Sequence, residues 1–221
     1  LRLLLGKVQR LTSMIRKQYV KRIVRPSPMV LRGDDWGVAR LVSRSEVTKG
    51  SGYYRCRFSI GRGETLGLSM GQQVNLCCLS RKNEVVKAGF HPTRLNSVGT
   101  FDILTMSPIC PTTGLKRRAE IEAVLGREQG RFHWVVGREL KIGDEVALKP
   151  GRNSLEYRGE ALPVTDMVFF VSGLGISAVL SQLEKLLPRG VGSVGTVSVI
   201  WVNEEEGEFG VAANALPRAH D

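Results

Sequence analysis

"LGLSMGQQVNLCCLSRKNEVVKAGFHPTRLNSVGTFDILTM", from Leu66 to Met106, is the stretch whose reading decides the fold. Within it, "QQVNLCCLS", "NEVVKAGF" and "GTFDILTM" alternate between apolar and polar residues, the period of two that a pleated strand imposes. Clusters of Gly, Ser, Asn and Pro stand between them, where turns are expected. "WGVARLVSRSEV" and "GYYRCRFSIG" upstream and "DEVALKP" downstream read the same way. Six short strands at this spacing predict an antiparallel β-barrel or sandwich.

Helical signals flank these strands. Thr112 to Gly130 has good helical propensity and carries a local basic cluster, Lys116, Arg117 and Arg118. An acidic protein can meet such a cluster, and a solvated helix end explains it equally well. After Pro163 the chain reads strand, helix, strand, the opening of a parallel βαβ unit.

With 221 residues and 42% hydrophobic content, the chain can bury a core large enough for one large or two small domains. It holds no apolar run near the ~20 residues that a membrane-spanning helix requires. Cys56, Cys77, Cys78 and Cys110 form no C-x-x-C pair, and His91, His133 and His220 have no metal-ligand spacing, so no metal site is expected. The thiols are expected to be free and buried.

The formal charge of +11 is concentrated in one place. Leu1 to Arg32 carries nine basic residues and no acidic one, leaving 23 basic against 21 acidic residues for the rest. Along this arm Leu4, Val8, Leu11, Ile15, Tyr19 and Ile23 recur at spacings of three and four, which places them on one helical face. Pro26 and Pro28 end the pattern. A basic, acid-free amphipathic stretch is the make-up of an organelle transit peptide, or of a helix lying on an anionic membrane or in a partner's groove. Packing on its own domain is the competing reading. Nucleic-acid binding has less support, because Tyr19 is the arm's one aromatic residue and the body has no reader motif.

Leu66 to Met106, with its Gly71 turn, resembles the flavin domain of cytochrome b5 reductases. Three further blocks follow in the family's order. "LKIGDEVALKPGRNSLEY" (Leu140 to Tyr157) resembles the strand-turn-strand that closes the family's barrel, and "MVFFVSGLGISAVLSQLEKLL" (Met167 to Leu187) the first strand, glycine turn and helix of its pyridine-nucleotide domain. "TVSVIWVNEEEGEF" (Thr196 to Phe209) resembles the next strand. The similarity spans Trp36 to Phe209 and identifies the chain as a member of the ferredoxin–NADP reductase/cytochrome b5 reductase-like superfamily. It implies a flavin-reductase type antiparallel β-barrel followed by a shortened α/β parallel-sheet unit. The corresponding division is a basic amphipathic arm at 1–35, an FAD-binding-like barrel at 36–162 and a partial NAD(P)-binding-like unit at 163–221.

The resemblance also implies where ligands should sit. In the family a loop reads Arg-x-Tyr-Thr/Ser-Pro: the Arg meets the flavin pyrophosphate, the Tyr packs on the cofactor and the hydroxyl bonds to it. The matching run here is Ala88, Gly89, Phe90, His91 and Pro92, which keeps the aromatic and the proline and loses the charge and the hydroxyl. A second contact, Gly-x-x-Ser/Thr at a helix start, is matched by Gly130, Arg131, Phe132 and His133. Lys87, Arg94, Arg131 or a protonated His133 can replace the lost phosphate contacts. The nucleotide turn resembles Gly-Thr-Gly-Ile-Thr/Ser-Pro, and Gly173, Gly175, Ile176 and Ser177 agree while Leu174 and Ala178 differ. As an ordinary Rossmann fingerprint it lacks the acid expected about 20 residues on, since Glu204 lies 29 past Gly175. The family's nicotinamide loop, which carries a cysteine, has no counterpart because no Cys follows Cys110.

The expectation is a ferredoxin reductase-like protein with weakened or lost redox chemistry and no assigned catalytic residue. It binds little or no FAD and turns over no NAD(P)H. Residues 1–25 are expected to dock it onto a larger assembly or an anionic membrane surface, in a mitochondrion or plastid, with an acidic electron-transfer protein as a further candidate partner. The rival expectation is an FAD-dependent NAD(P)H oxidoreductase whose remaining residues lie beyond the end shown. Glu204, Glu205, Glu206 and Glu208 are expected to form a solvent-exposed acidic turn.

Overall fold

The alternating segments become β1 (Gly37–Glu46), β2 (Tyr53–Ser59), β3 (Gln72–Leu79), β4 (Val85–Phe90), β5 (Thr100–Met106) and β6 (Glu145–Asn153). A computed structural model describes residues 29–31, 35–95, 97–110, 113–157, 160–161, 165–186, 196–203 and 209–213. Of the arm expected at 1–35, residues 29–31 and 35 are described, and Val30 and Leu31 lie in the core with their N–H groups donated to the Thr65 and Leu66 carbonyls. The rest of the arm, the expected boundary at Leu162 and Pro163, the acidic turn and His220 lie outside the described residues.

All six strands pair antiparallel in one barrel-type sheet of order β4-β3-β6-β1-β2-β5. The Thr93 N–H donates to the Asp102 carbonyl at 2.9 Å, which joins the segment after β4 to β5 and so links the two ends of that order. Gly71 turns the chain into β3 at φ +78°, and a Cβ there would meet Leu155 Cγ at 2.7 Å. The turn therefore requires glycine for both conformation and space.

Alternation fills the inside of the sheet. Leu41, Phe58, Val74, Leu76, Ile103 and Leu148 are wholly buried, and Phe58 stacks on Phe101 with centroids 5.3 Å apart. Cys56 and Cys78 belong to this core, and burial pushes their thiols up to about 11 and about 12. None of the four cysteines forms a disulfide among the described residues; Cys56 and Cys78 serve as small apolar residues, whereas Cys77 and Cys110, also expected to be buried, are only partly so.

The helical stretch between β5 and β6 divides. Gly126, at φ 81° and ψ 157°, separates α1 (Arg118–Leu125) from α2 (Arg127–Trp134). The chain then widens into a π-turn at Val135–Glu139, where the Leu140 N–H reaches the Val135 carbonyl at 2.9 Å. Arg44, from β1, donates to the Val136 and Leu140 carbonyls at 2.5 and 3.3 Å and so satisfies acceptors that the π-turn leaves over. In the basic cluster, Arg117 pairs with Glu120 and Arg118 with Glu122, the arrangement of a solvated helix end.

The short strands β7 (Glu156–Tyr157) and β8 (Glu160–Ala161) precede the α/β unit. That unit consists of β9 (Asp166–Ser172), a 3₁₀ turn (Gly173–Gly175), α3 (Ile176–Leu186), β10 (Thr196–Val202) and α4 (Gly210–Ala213). β9 and β10 pair in parallel, from Thr196 opposite Asp166 to Val202 opposite Ser172. The apolar side of α3 (Ile176, Val179, Leu180, Leu183) shares a second core cluster with Tyr53, Leu104, Met106 and Ile121, so the barrel and the α/β unit meet through a buried apolar contact.

Candidate functional site

Where α2 starts, it faces β4. Gly126, Arg127, Glu128 and Gln129 line one side of a cleft of about 580 Å³, and Lys87, Ala88 and Gly89 line the other. Lys149, Asn75 and Trp36 complete its rim. The α2 N-terminus has no side-chain cap, so its first-turn amides and the positive end of the helix add to a cleft that already holds Lys87, Arg127 and Lys149 against one carboxylate, Glu128. Gln129 donates to the Gly89 carbonyl at 3.0 Å and fixes the spacing of helix and strand. A cleft built this way attracts anions, phosphate oxygens in particular.

The helix starts one turn before the position expected from the sequence. Gly130 lies inside α2, with its N–H donated to the Gly126 carbonyl at 2.8 Å. A Cβ on it would meet Glu122 Cα at 2.5 Å and the Ile121 carbonyl at 2.7 Å, so its glycine character serves the α1–α2 contact. The expectation that Gly130 opens the helix and presents its amide is corrected accordingly.

His133, three residues on, is 2% exposed. Its Nδ1 accepts the Met106 N–H at 3.1 Å, and desolvation pushes its pKa down to about 3. A proton on Nδ1 would face another donor in a site closed to bulk solvent, so the ring stays neutral. Its Nε2 meets the cleft lining only through the Gln129 amide nitrogen, 3.4 Å away, and the neutral ring offers no charge to a phosphate there.

Phe90 also turns inward, at 6% exposure, with Phe132 and His133 covering it at centroid distances of 5.2 and 5.0 Å. His91 sits beside Gln73, its Nε2 3.3 Å from the amide nitrogen, while its Nδ1 is buried without a partner among the described residues. Burial lowers its pKa. Pro92 is buried. Arg131 pairs with Glu84, and Arg94 lines a different recess. Of the proposed substitute cations, Lys87 alone lines the cleft.

The glycine turn of the α/β unit is tied to its own chain. The Gly173 N–H donates to Asn203 Oδ1 at 3.2 Å, and its carbonyl accepts from Trp201 Nε1 at 3.2 Å. Ser177 Oγ donates to the Leu174 carbonyl at 2.9 Å. Gly173 adopts φ +48°, and a Cβ would lie 3.2 Å from the Tyr53 hydroxyl. Gly175 is exposed. The amide that would lead toward a pyrophosphate is thus engaged by a residue at the end of β10.

Sequence reasoning missed the first turn of α2, Lys149, Trp201 and Asn203. Gly126 was the available signal for the first of these, because a glycine inside a helical run marks a break. The others come from strands distant in sequence and have no local signature.

No family model matches the chain, and no curated protein matches it by sequence. Solved structures do. The cytochrome b5 reductase domain of Ulva prolifera nitrate reductase superposes with a TM-score of 0.62 at 16% identity, covering 84% of this chain and 71% of that one. Flavohemoglobin from Malassezia yamatoensis, with bound FAD and heme, gives 0.54 at 16% identity and covers 87% and 42%. A ferredoxin NADP⁺ reductase from Neisseria gonorrhoeae, with bound FAD and NADP, gives 0.52 at 15% identity and covers 81% and 61%. The chain therefore spans well under two thirds of the flavohemoglobin and slightly under two thirds of the ferredoxin reductase. It has the ferredoxin–NADP reductase/cytochrome b5 reductase-like fold, with a barrel followed by a small α/β unit.

The FAD that this fold implies fits the residues here at one end only. The cleft holds donors and cations suited to phosphate oxygens. At the ring end, the aromatic that should pack on the isoalloxazine is already covered by Phe132 and His133.

Proposed function

We propose that this chain is a ferredoxin reductase-fold protein with weakened or lost redox chemistry, acting as an accessory subunit of a larger assembly. The burial of Phe90 beneath Phe132 and His133 carries this reading, because it closes the surface on which a flavin ring would pack. The engagement of the Gly173 amide by Asn203 supports it at the nucleotide turn. On sequence grounds, residues 1–25 supply the docking element, onto an acidic partner or an anionic organellar membrane.

The absorption spectrum of the purified protein tests the reading. A bound flavin gives bands near ~370 and ~450 nm that belong to the isoalloxazine ring. None is expected at stoichiometric intensity, and FAD added in excess should be lost on gel filtration. A yellow protein that keeps its cofactor through the column overturns the proposal.

The cleft supports a second reading, an FAD-dependent NAD(P)H oxidoreductase, because Lys87, Lys149 and the α2 N-terminus are suited to a pyrophosphate. On that reading Lys87→Ala and Lys149→Ala each weaken FAD binding, and NADH or NADPH reduces ferricyanide above a heat-denatured control. The first reading expects no such reduction.

A further inference from the structure

A second recess lies on the outer face of β2 and β5 and shares no lining residue with the cleft. Register places Arg57 opposite Asp102, Arg55 opposite Leu104 and Ser59 opposite Thr100. Alternation then puts Arg55 and Arg57 on one face of β2, beside Asp102 and Thr100 on β5. The Thr93–Asp102 backbone bond folds the segment after β4 against this face and brings Arg94 and Ser97 to the same hollow of about 320 Å³.

The charges in this hollow do not balance. Asp102 is its one carboxylate, and Arg57 grips it with Nε at 2.7 Å and Nη2 at 2.9 Å. Arg55 and Arg94 have no ion-pair or hydrogen-bond partner among the described residues. Two cations converging on one hollow repel each other unless an anion lies between them. Threonine and serine hydroxyls from Thr93, Ser97 and Thr100 complete the lining, and Val98 is its one apolar side chain. Guanidinium forks match the oxygens of a phosphate in pairs, and hydroxyls add donors to the same oxygens. The volume is at the low end of the ~300–1,000 Å³ typical of small-molecule sites, which suits a small ligand and not a dinucleotide.

We propose that this recess binds the phosphate group of a small phosphate monoester, with Arg55 and Arg94 as its charged donors. The site is independent of whether the chain holds a flavin. It also gives Arg94 a role different from the flavin-phosphate contact expected from the sequence.

Titration calorimetry of the full chain with glycerol 1-phosphate and with inorganic phosphate, at constant ionic strength, tests the site. Saturable binding is expected, with the ester at least as tight as the free ion. Arg55→Ala and Arg94→Ala should each weaken it by about tenfold, the scale of a lost charge-assisted hydrogen-bond pair. Asp102→Asn should tighten it, since the hollow then loses its carboxylate and frees the Arg57 fork. Arg40→Ala, on the neighbouring strand, should change nothing. Melting curves establish that each variant is folded. Non-saturable binding, or Arg55→Ala and Arg94→Ala variants that bind like the wild type, would overturn the proposal. So would displacement of the ester by a glutamate-rich peptide of equal affinity, which would make the face a protein-docking surface.

Discussion

His133 accepts the Met106 N–H inside the protein, and desolvation holds its pKa down to about 3 against an ordinary 6.5. The unfolded chain binds the extra proton first, so His133's contribution to stability is full above about pH 6.5 and is lost as pH falls toward 3. The slope contributed is at most ~1.4 kcal/mol per pH unit in that window. His133→Asn should therefore flatten the pH dependence of the melting temperature between pH 7 and pH 4.5, and parallel profiles for the two proteins would show that the ring does not titrate this way. Gly130 permits a prediction whose sign is informative. Glycine inside a helix normally costs ~1 kcal/mol relative to alanine, so Gly130→Ala would stabilise an open site. Here the added Cβ meets the α1 backbone, and a loss of ~1–3 kcal/mol is expected from urea denaturation. A stabilised variant would mean that α1 and α2 are not packed as described. Neither the burial of His133 nor the packing of Gly130 was legible in the sequence, where Gly130 matched a ligand motif and His133 stood at its hydroxyl position by spacing alone.

At the scale of elements, the break at Gly126 and the π-turn at Val135–Glu139 set which side of α2 faces the barrel. Together they turn Phe132 and His133 onto Phe90. The apolar runs "MVFFV" and "VSVIWV" read as strands of a parallel sheet, which normally buries both faces. One face does pack with α3 through Phe169, Val171, Val197 and Trp201. On the other, Phe170 is 75% exposed, with Val168, Ile200 and Val202 also open among the described residues. An apolar sheet face of this kind favours self-association. Phe170→Glu should lower the sedimenting oligomer fraction at high protein concentration while changing stability by no more than ~0.5 kcal/mol, as a surface substitution does. A large loss of stability would place Phe170 in a core.

For the molecule as a whole, the described core clusters take Val30 and Leu31 from the end of the arm, whereas most of the arm's basic residues precede them, between Arg2 and Arg25. Deleting Leu1 to Arg25 should leave the melting temperature of the body nearly unchanged and abolish co-sedimentation with anionic vesicles or with the parent assembly, each arm cation contributing ~1 kcal/mol near a charged membrane. A body that unfolds on truncation would make the arm part of its own core. The sequence by itself determined the six barrel strands, the strand-turn-helix opening of the α/β unit and the segregation of charge, because alternation, glycine turns and basic runs are local properties of neighbouring residues. Tertiary structure alone decided the fate of the motif residues. Whether Phe90 faces a ligand or Phe132, whether the Gly173 amide is open or held by Asn203, and whether Arg94 joins Lys87 or Arg55 all depend on elements tens of residues apart. Spacing along a chain fixes direction within one strand or helix, and only packing between elements fixes what each side chain meets.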